Sequence, residues 1–174
     1  EAETYMETLR FLGPEEYEKT RELAEICFGK EDFDEEYYSK DIYDNLIAVK
    51  ERDGRIISMA HLAERRLFFE GREYCDVYYI LYVATLPEER HKGYMDEVMS
   101  FTFERMMEEK RELTFLVPID PGIYRHLGFE YDWEFNEDER ELLYADEGLN
   151  FCSAKLICAK SFKKPVKTGL KCTK

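Results

Sequence analysis

The sequence predicts one α/β domain: a mixed, mostly antiparallel sheet with helices on both faces. Two helical patterns open the chain, and a series of short strands separated by turn residues follows them. Asp53-Gly54 predicts a tight hairpin, because a sharp reversal needs positive φ angles. An apolar, aromatic run over 79–86 predicts a buried strand that leads into another helix. With 174 residues, 44% of them hydrophobic, the chain is long enough for a single core.

Local patterns predict each element in turn. Gly13-Pro14-Glu15-Glu16 predicts a helix start, with proline first and acids in the first turn, and Gly29 ends that helix. A second helix is predicted over 34–44. The predicted strands cover residues 46–51, 55–62, 67–69, 74–85, 113–117, 129–135 and 154–159. A short helix is predicted over 121–126, since Gly128 favours the left-handed conformation that commonly ends helices.

Charge is distributed unevenly along the chain. The net charge is −14, yet residues 161–174 hold five lysines and no acid. We therefore expect a folded domain over 1–160 and a basic C-terminal tail over 161–174. A strongly acidic body argues against nucleic acid as a partner, because the phosphates would be repelled. It favours a cationic acceptor such as an amine, although acidic residues also simply keep a protein soluble.

Cysteine and histidine usage argues against a metal site. The five cysteines, at positions 27, 75, 152, 158 and 172, lack zinc-like spacing, and the chain has only three histidines. We expect free thiols in a reducing cytoplasm. No apolar run approaches the ~20 residues of a membrane span, and no signal peptide precedes the first helix. The sequence therefore predicts a cytoplasmic protein without a membrane partner.

The strand over 79–86 passes through a charged turn into an amphipathic helix. The apolar stripe of that helix is Met95, Val98, Met99, Thr102 and Met106. The first N–H groups of a helix lack intrahelical partners, and the helix dipole adds positive potential there. Arg90, His91 and Lys92 add positive charge. Gly93 has no Cβ, so a diphosphate can approach the backbone closely. The alternative is an ordinary strand-to-helix turn with solvated charges.

The string Val83-x-Thr85-x-Pro87-x-x-Arg90-x-x-Gly93 lies in this strand–turn–helix. It resembles the acyl-CoA-binding motif of the GNAT superfamily of N-acetyltransferases, Arg/Gln-x-x-Gly-x-Gly/Ala, with Met95 at the final small position. The longer string from Ala84 to Met95 is similar to the branch that contains the "enhanced intracellular survival" aminoglycoside acetyltransferases. The resemblance implies that acetyl-CoA is the co-substrate. The residues implied to bind it are Val83, Thr85, Arg90, His91, Lys92, Gly93, Tyr94 and Met95.

A second motif follows the strand over 113–117. Tyr124-x-x-x-Gly128-Phe129 resembles the second GNAT motif, in which a tyrosine on a short helix faces the thioester sulfur. The resemblance implies that Tyr124 is catalytic; the alternative is a tyrosine that packs on the following strand. It also implies that the central parallel strands, over 74–85 and 113–117, splay apart around the pantetheine arm. Freed backbone groups near Val83 could then bind the arm like an added strand.

The two motifs imply an acetyl-CoA-dependent N-acetyltransferase, in a resemblance that covers about residues 5–135. The acetyl group would pass to a primary amine by direct attack in a ternary complex, with the Val83 N–H polarising the carbonyl. The sequence leaves three candidates for the base that takes the amine proton: Asp76, Glu73 and Glu130. Four aromatic residues either border the acceptor pocket or pack in the core: Phe33, Tyr37, Tyr38 and Tyr43.

Two other functional classes remain open at the level of sequence. One is a non-catalytic GNAT-shaped module that binds acyl-CoA or a protein partner. The other is the first domain of a larger acetyltransferase. The sequence does not identify the amine, and it leaves a homo-oligomer open.

Overall fold

Within the residues that the structure describes, eight strands form one sheet and three α-helices pack on it. The computed structural model describes residues 5–30, 34–69, 72–111, 113–118, 120–133, 156–158 and 170–173. The strands are β1 (Glu7–Phe11), β2 (Asn45–Arg52), β3 (Arg55–Phe69), β4 (Arg72–Thr85), β5 (Thr114–Leu116), β6 (Glu130–Trp133), β7 (Leu156–Cys158) and β8 (Leu170–Thr173). The α-helices are α1 (Arg21–Phe28), α2 (Glu35–Ser39) and α3 (Tyr94–Glu108). Short 3-10 helices cover Pro14–Thr20, Asp41–Asp44, Pro87–Glu89 and Pro121–Leu127.

The sheet has the strand order β1-β2-β3-β4-β5-β7-β6, and β8 pairs with the far end of β3. β4 and β5 run parallel, whereas the other described pairs are antiparallel. The predicted Asp53-Gly54 hairpin is confirmed, because both residues have positive φ angles, 50° and 81°, between β2 and β3. The predicted mixed, mostly antiparallel sheet is confirmed as well.

The parallel pair separates before β4 ends. Tyr78, Tyr79 and Ile80 pair with Thr114, Phe115 and Leu116 of β5. β4 then continues from Leu81 to Thr85, and no described residue of β5 pairs with that segment. The pairing of the two central strands therefore stops before β4 ends, as the predicted splay of these strands requires.

A β-bulge interrupts β4 in this same segment. Met59 of β3 lies opposite Ala84, but His61 lies opposite Leu81, so β4 uses one residue more than β3. Tyr82 has a φ of 48°, in the left-handed region that non-glycine residues seldom adopt. Side chains of a regular strand alternate between faces, yet Leu81 and Tyr82 pack on the same face. We call Leu81–Val83 the β4 bulge.

Two hydrophobic cores lie on opposite faces of the sheet. The α1–α2 core consists of Leu12, Tyr17, Leu23, Ala24, Tyr37, Tyr38, Ile42, Ile47, Val49, Ile56, Ile57, Met59, Ala84 and Leu86. The α3 core consists of Ala48, Ala60, Leu62, Tyr78, Ile80, Val98, Met99, Phe103, Met106, Leu116 and Phe129. The predicted stripe of α3 faces the second core, since Val98, Met99 and Met106 are fully buried there.

The strand β1 was not predicted from the sequence. It is only partly buried, so its hydrophobic alternation is weak, and its polar side chains are satisfied by the neighbouring strand. Arg10 Nε donates to Glu51 Oε2 over 2.8 Å, and Thr8 Oγ1 donates to the same oxygen over 3.2 Å. A long-range partner thus makes this segment a strand.

The structure corrects the predicted break between 62 and 67. β3 is continuous there because β4 pairs with it throughout, with Arg66 opposite Asp76. Arg66 lies 3.9 Å from both Asp76 and Glu73, so opposite charges face each other across the hairpin. The first predicted helix also differs, because its first half, Pro14–Thr20, is a 3-10 helix.

The predicted basic tail is described in part. Residues 170–173 form β8 and pair antiparallel with Arg66–Phe69, whereas 161–169 lie outside the described residues. None of the helices described here has the length and apolar character needed to cross a membrane.

Candidate functional site

The end of β4 turns sharply into α3. Pro87–Glu89 forms a single 3-10 turn, His91 has a φ of 63°, and Gly93 has a φ of 87° at the N-cap of α3. A Cβ built on Gly93 would meet no atom within 4 Å. Glycine therefore suits this position because of its left-handed backbone, and the space next to it is open.

The N-terminus of α3 offers unpaired donors to that open space. The N–H groups of Tyr94, Met95 and Asp96 lack intrahelical acceptors, and the N-cap Gly93 brings no side chain to satisfy them. The helix has 15 residues, so its dipole adds positive potential at this end. Met95 packs against the α3 core, so its side chain points into the protein.

Two of the three basic residues of the turn, Arg90 and Lys92, already have protein partners. Arg90 Nε donates to the carbonyl of Thr85 over 3.2 Å, and its Nη2 lies 3.8 Å from Cys27 Sγ. Lys92 Nζ lies 3.0 Å from Glu89 Oε2. Arg90, His91 and Lys92 are all solvent-exposed. The turn is thus held by its own contacts, and its cations remain accessible to an anion.

Sequence reasoning missed the ionic network that supports this turn. Arg52 binds Glu89 through Nη1 (2.7 Å) and Glu7 through Nη2 (3.0 Å), and it donates to Tyr94 Oη. Tyr94 Oη donates to Glu7 over 3.2 Å. Lys92 and Arg52 lower the pKa of Glu89, so this carboxylate stays ionised between two cations. The only local hint was Glu89, three residues before Lys92.

Lys50 extends this network onto α3. Its Nζ lies 2.7 Å from Glu97 Oε2 and 3.0 Å from Glu7 Oε2, and the side chain is only 10% exposed. The Lys50 and Arg52 hydrogen bonds lower the pKa of Glu7. β1, β2 and the first turn of α3 are therefore joined by charge-assisted hydrogen bonds.

The second motif is built as predicted from local signals. Asp120 Oδ1 accepts from the N–H of Gly122 over 2.8 Å at the start of the 3-10 helix Pro121–Leu127. Gly128 ends it with a φ of 85°. The ring of Tyr124 contacts Phe129 edge-on, with centroids 6.0 Å apart. Burial raises the pKa of Tyr124 to about 12.

The structure brings the two motifs together. Val83, Met95 and Tyr124 all pack against the α3 core. His126 Nε2 lies 2.8 Å from Asp96 Oδ1, which joins the 3-10 helix of the second motif to the first turn of α3. Tyr124 therefore shares one face of the sheet with Val83 and with the first turn of α3.

Two of the three candidate bases, Glu73 and Asp76, lie far from Val83. Glu73 and Asp76 are near the start of β4, beside Arg66, and Asp76 also lies 3.6 Å from Arg111 Nη1. At ~3.3 Å per strand residue, Asp76 is roughly 20 Å from Val83. The side chain of Glu130 lies outside the described residues.

The predicted aromatic cluster is mostly core. Tyr37 and Tyr38 are buried in the α1–α2 core, whereas Tyr43 is half exposed and stacks on Tyr17 with centroids 6.1 Å apart. Phe33 lies outside the described residues. In the described part of the chain, no three His, Cys, Asp or Glu side chains converge as a metal site would require.

Comparison with known proteins identifies the family to which this chain belongs. A family model described as an acetyltransferase (GNAT) domain matches residues 8–131. That range includes β4, the turn, α3 and the second motif. A search of curated proteins finds no match.

Solved structures show the same fold. A probable N-acyltransferase from Enterococcus faecalis V583 is 24% identical, with a TM-score of 0.67 over 74% of this chain and 33% of its own. A GNAT family acetyltransferase from Brucella melitensis, in complex with acetyl-CoA, is 16% identical and has a TM-score of 0.67. The match covers 97% of this chain and 96% of the Brucella chain. Eis1 from Mycobacterium abscessus is 15% identical and has a TM-score of 0.59. The match covers 72% of this chain and 31% of the Eis1 chain.

These proteins differ in length. The chain spans about a third of the Enterococcus and Mycobacterium proteins, but it matches almost the whole of the Brucella protein. The identities are low enough that the structures establish the shared fold, and the family match rests on residues 8–131. On that match, the chain belongs to the GNAT acetyltransferase family.

Proposed function

We propose that the chain transfers an acetyl group from acetyl-CoA to a primary amine in a ternary complex. The observation that supports this most directly is the open space at Gly93, where the unpaired N–H groups of α3 meet the end of β4. The acetyl-CoA complex of the Brucella relative supports the choice of co-substrate.

The proposed binding mode uses the N-terminus of α3 for the diphosphate and the end of β4 for the pantetheine arm. The diphosphate accepts hydrogen bonds from the N–H groups that follow Gly93, Arg90 and Lys92 add positive charge, and His91 lies between them. Arg90 can release the Thr85 carbonyl in exchange for a phosphate oxygen, because its side chain is exposed. The amide-rich pantetheine arm lies along the edge of β4 from Leu81 to Thr85 that no described residue of β5 pairs with, and Val83 is in the middle of it.

The chemistry forms one bond and breaks one. The neutral amine attacks the thioester carbonyl carbon, the new C–N bond forms, and the C–S bond breaks as CoA leaves as a thiolate. The amine loses one proton to water or a base, and the thiolate later gains one. Holding both substrates in this geometry supplies much of the rate. The Val83 N–H would stabilise charge on the carbonyl oxygen.

Tyr124 is proposed to stabilise the departing thiolate. A free thiol has a pKa of about 8.5, whereas burial raises the pKa of Tyr124 to about 12. The phenol therefore keeps its proton at neutral pH and acts best as a hydrogen-bond donor to the sulfur. Complete proton transfer from Tyr124 would be unfavourable.

The proposed acceptor is cationic in bulk solution. Asp34, Glu35, Glu36 and Asp44 are exposed around α2, and the chain as a whole carries −14. Such a field concentrates cations near the surface. The acceptor must lose a proton before it attacks, so turnover should rise with pH until the bound amine is neutral.

The test of this proposal is calorimetry with acetyl-CoA on the parent chain and on Gly93→Asp. The added carboxylate would occupy the position proposed for the diphosphate, and binding should be lost. Gly54→Asp is the matched control, since Gly54 also has a positive φ and no atom within 4 Å of a built Cβ. Unchanged affinity in Gly93→Asp would exclude this binding site.

Catalysis is tested separately with a panel of amines and a thiol-release assay. Release of CoA that depends on one of the amines would support the transferase. Tight binding of acetyl-CoA without release by any amine would instead favour the non-catalytic acyl-CoA-binding module.

A further inference from the structure

A chain of buried polar groups lies beneath the β4 bulge. Asn45 Nδ2 donates to Tyr37 Oη over 2.8 Å, and Tyr37 Oη lies 2.6 Å from His61 Nδ1. Tyr37 and Asn45 are under 10% exposed, and His61 is fully buried. Because Tyr37 Oη already accepts from Asn45, its proton is free to be donated to His61 Nδ1.

This direction leaves the other nitrogen of His61 unsatisfied. With Nδ1 as acceptor, the neutral imidazole has its proton on Nε2. His61 Nε2 is buried and has no hydrogen-bond partner among the described residues. Buried polar atoms without partners are costly, so their presence in a core needs a compensating role.

The imidazole and three other rings surround Tyr82. Tyr37 stacks on Tyr82 with centroids 4.8 Å apart, and His61 lies at 5.3 Å. Tyr38 and Phe28 contact it edge-on, at 5.7 and 5.3 Å. The residue with the left-handed φ of 48° thus contacts four aromatic rings, and the Tyr37–His61 hydrogen bond orients two of them.

We infer that Tyr37 and His61 are positioning residues, which hold Tyr82 in its left-handed conformation and so fix the Val83 backbone against the acetyl donor. The inference rests on the proposed function for what Val83 binds. Without the bulge, β4 would return to regular alternation, and a one-residue change in register would turn Val83 to the opposite face. The Val83 N–H would then leave the proposed position of the carbonyl oxygen.

The test compares two tyrosine-to-phenylalanine variants in the same core. Tyr37→Phe removes the hydroxyl that orients His61 and keeps the ring that stacks on Tyr82. Tyr17→Phe is the matched control, since Tyr17 is equally buried and donates a 2.6 Å hydrogen bond to the carbonyl of Asn45. Tyr17 stacks on Tyr43 instead of Tyr82.

In Tyr37→Phe we expect kcat to fall roughly 10- to 100-fold, because small displacements of groups at a reacting centre slow the reaction strongly. The affinity for CoA should change less than about twofold, since the diphosphate contacts at Gly93 are untouched. Tyr17→Phe should keep the parent kcat. An equal change of kcat in both variants, or none in Tyr37→Phe, would overturn the inference.

Nuclear magnetic resonance tests the positioning role without any turnover. In the parent chain, the backbone shifts of Tyr82 should report a positive φ, and the ¹⁵N shifts of His61 should report a proton on Nε2. The Tyr82 shifts should move toward extended values in Tyr37→Phe and stay unchanged in Tyr17→Phe. Unchanged shifts in Tyr37→Phe would overturn the inference even if acetyl-CoA binds. Failure of the parent to bind acetyl-CoA would overturn the proposed function instead.

Discussion

The two faces of the sheet are packed by different chemistry. The α3 core is almost wholly apolar, and its one tyrosine, Tyr78, directs its hydroxyl outward to Glu109 over 2.8 Å. The α1–α2 core contains Tyr17, Tyr37 and Tyr38. Their hydroxyls contact the Asn45 carbonyl, His61 and Thr20 respectively. The α3 core is held mainly by apolar burial, whereas the α1–α2 core combines burial with hydrogen bonds between its tyrosines and other buried polar groups.

This difference indicates which core fixes the positions of its side chains more precisely. Apolar packing tolerates repacking, whereas a buried hydrogen-bond network fixes distances and angles. The network lies on the face of the β4 bulge, where Tyr82 departs from regular strand geometry. The apolar face supports the body of α3 through side-chain packing, and only the first turn of that helix is also held by ion pairs such as Lys50–Glu97.

The largest expected effect concerns the hydroxyl of Tyr124, which lies beside the apolar face. Among the described residues none hydrogen-bonds to it, so its role should appear only during the reaction. Tyr124→Phe should lower turnover by roughly 10²–10³, the usual loss when one hydrogen-bond donor to a developing negative charge is removed. Acetyl-CoA affinity should hardly change. A variant with full turnover in a steady-state assay would identify Tyr124 as a packing residue.

The next effect is on stability and belongs to the α3 core. Met106→Ala should lower the free energy of unfolding by about 2–5 kcal/mol, because it opens a cavity in an apolar core. Met107→Ala is the matched control: Met106 is 0% exposed and Met107 is 52% exposed. Urea unfolding should show a change of less than about 0.5 kcal/mol for Met107→Ala. Equal losses would mean that this face is not held by burial.

A third prediction is acid sensitivity that originates in the α1–α2 core. Burial lowers the pKa of His61 to about 3, from 6.5 in the unfolded chain. Between these values the unfolded chain binds the proton and the folded chain does not, so stability falls as the pH drops below 6.5. The slope should approach about 1.4 kcal/mol per pH unit. His61→Gln should reduce this dependence of stability on pH, measured by urea unfolding at about pH 5 and pH 7. An unchanged slope would place the acid sensitivity elsewhere.

The smallest effect concerns surface charge on the two faces. On the α3 side, Glu7, Glu89 and Glu97 are paired with Lys50, Arg52 and Lys92. Around α2, several acids are exposed. The apparent Michaelis constant for a cationic amine should rise roughly twofold or more with salt near 0.1 M, where the Debye length is ~10 Å. A preferred acceptor that is neutral or anionic, with no salt dependence, would contradict this.

Local patterns predicted the parts of the molecule that are decided locally. The Asp53-Gly54 hairpin, the turn at Gly93 and the end of the 3-10 helix at Gly128 all depend on positive φ angles, which glycine accepts. The strand–turn–helix and the stripe of α3 follow from periodicity. The positions of Val83, Arg90 and Tyr124 on these elements were therefore available from the sequence.

Contacts between residues distant in sequence were not predictable in this way. Arg52 joins Glu7 to Glu89, and these three residues span more than eighty positions. His61 gave no local signal, since its partner Tyr37 lies 24 residues away. The bulge was equally hidden, because Leu81-Tyr82-Val83 is an ordinary strand sequence. Only the pairing of β4 with β3 shows that β4 contains one extra residue at this point.

The edge of β4 at Leu81–Thr85, beyond its pairing with β5, also bears on the risk of aggregation. Unpaired strand edges at the outside of a sheet invite other chains to add on, which is a common route to fibres. Here the unpaired edge lies inside the sheet, between β4 and a neighbouring strand that has already separated from it. A second polypeptide strand would have to enter between two layers of helices to reach it. A thin, amide-bearing ligand needs much less room, so the fold can offer an edge to a small molecule and withhold it from other chains.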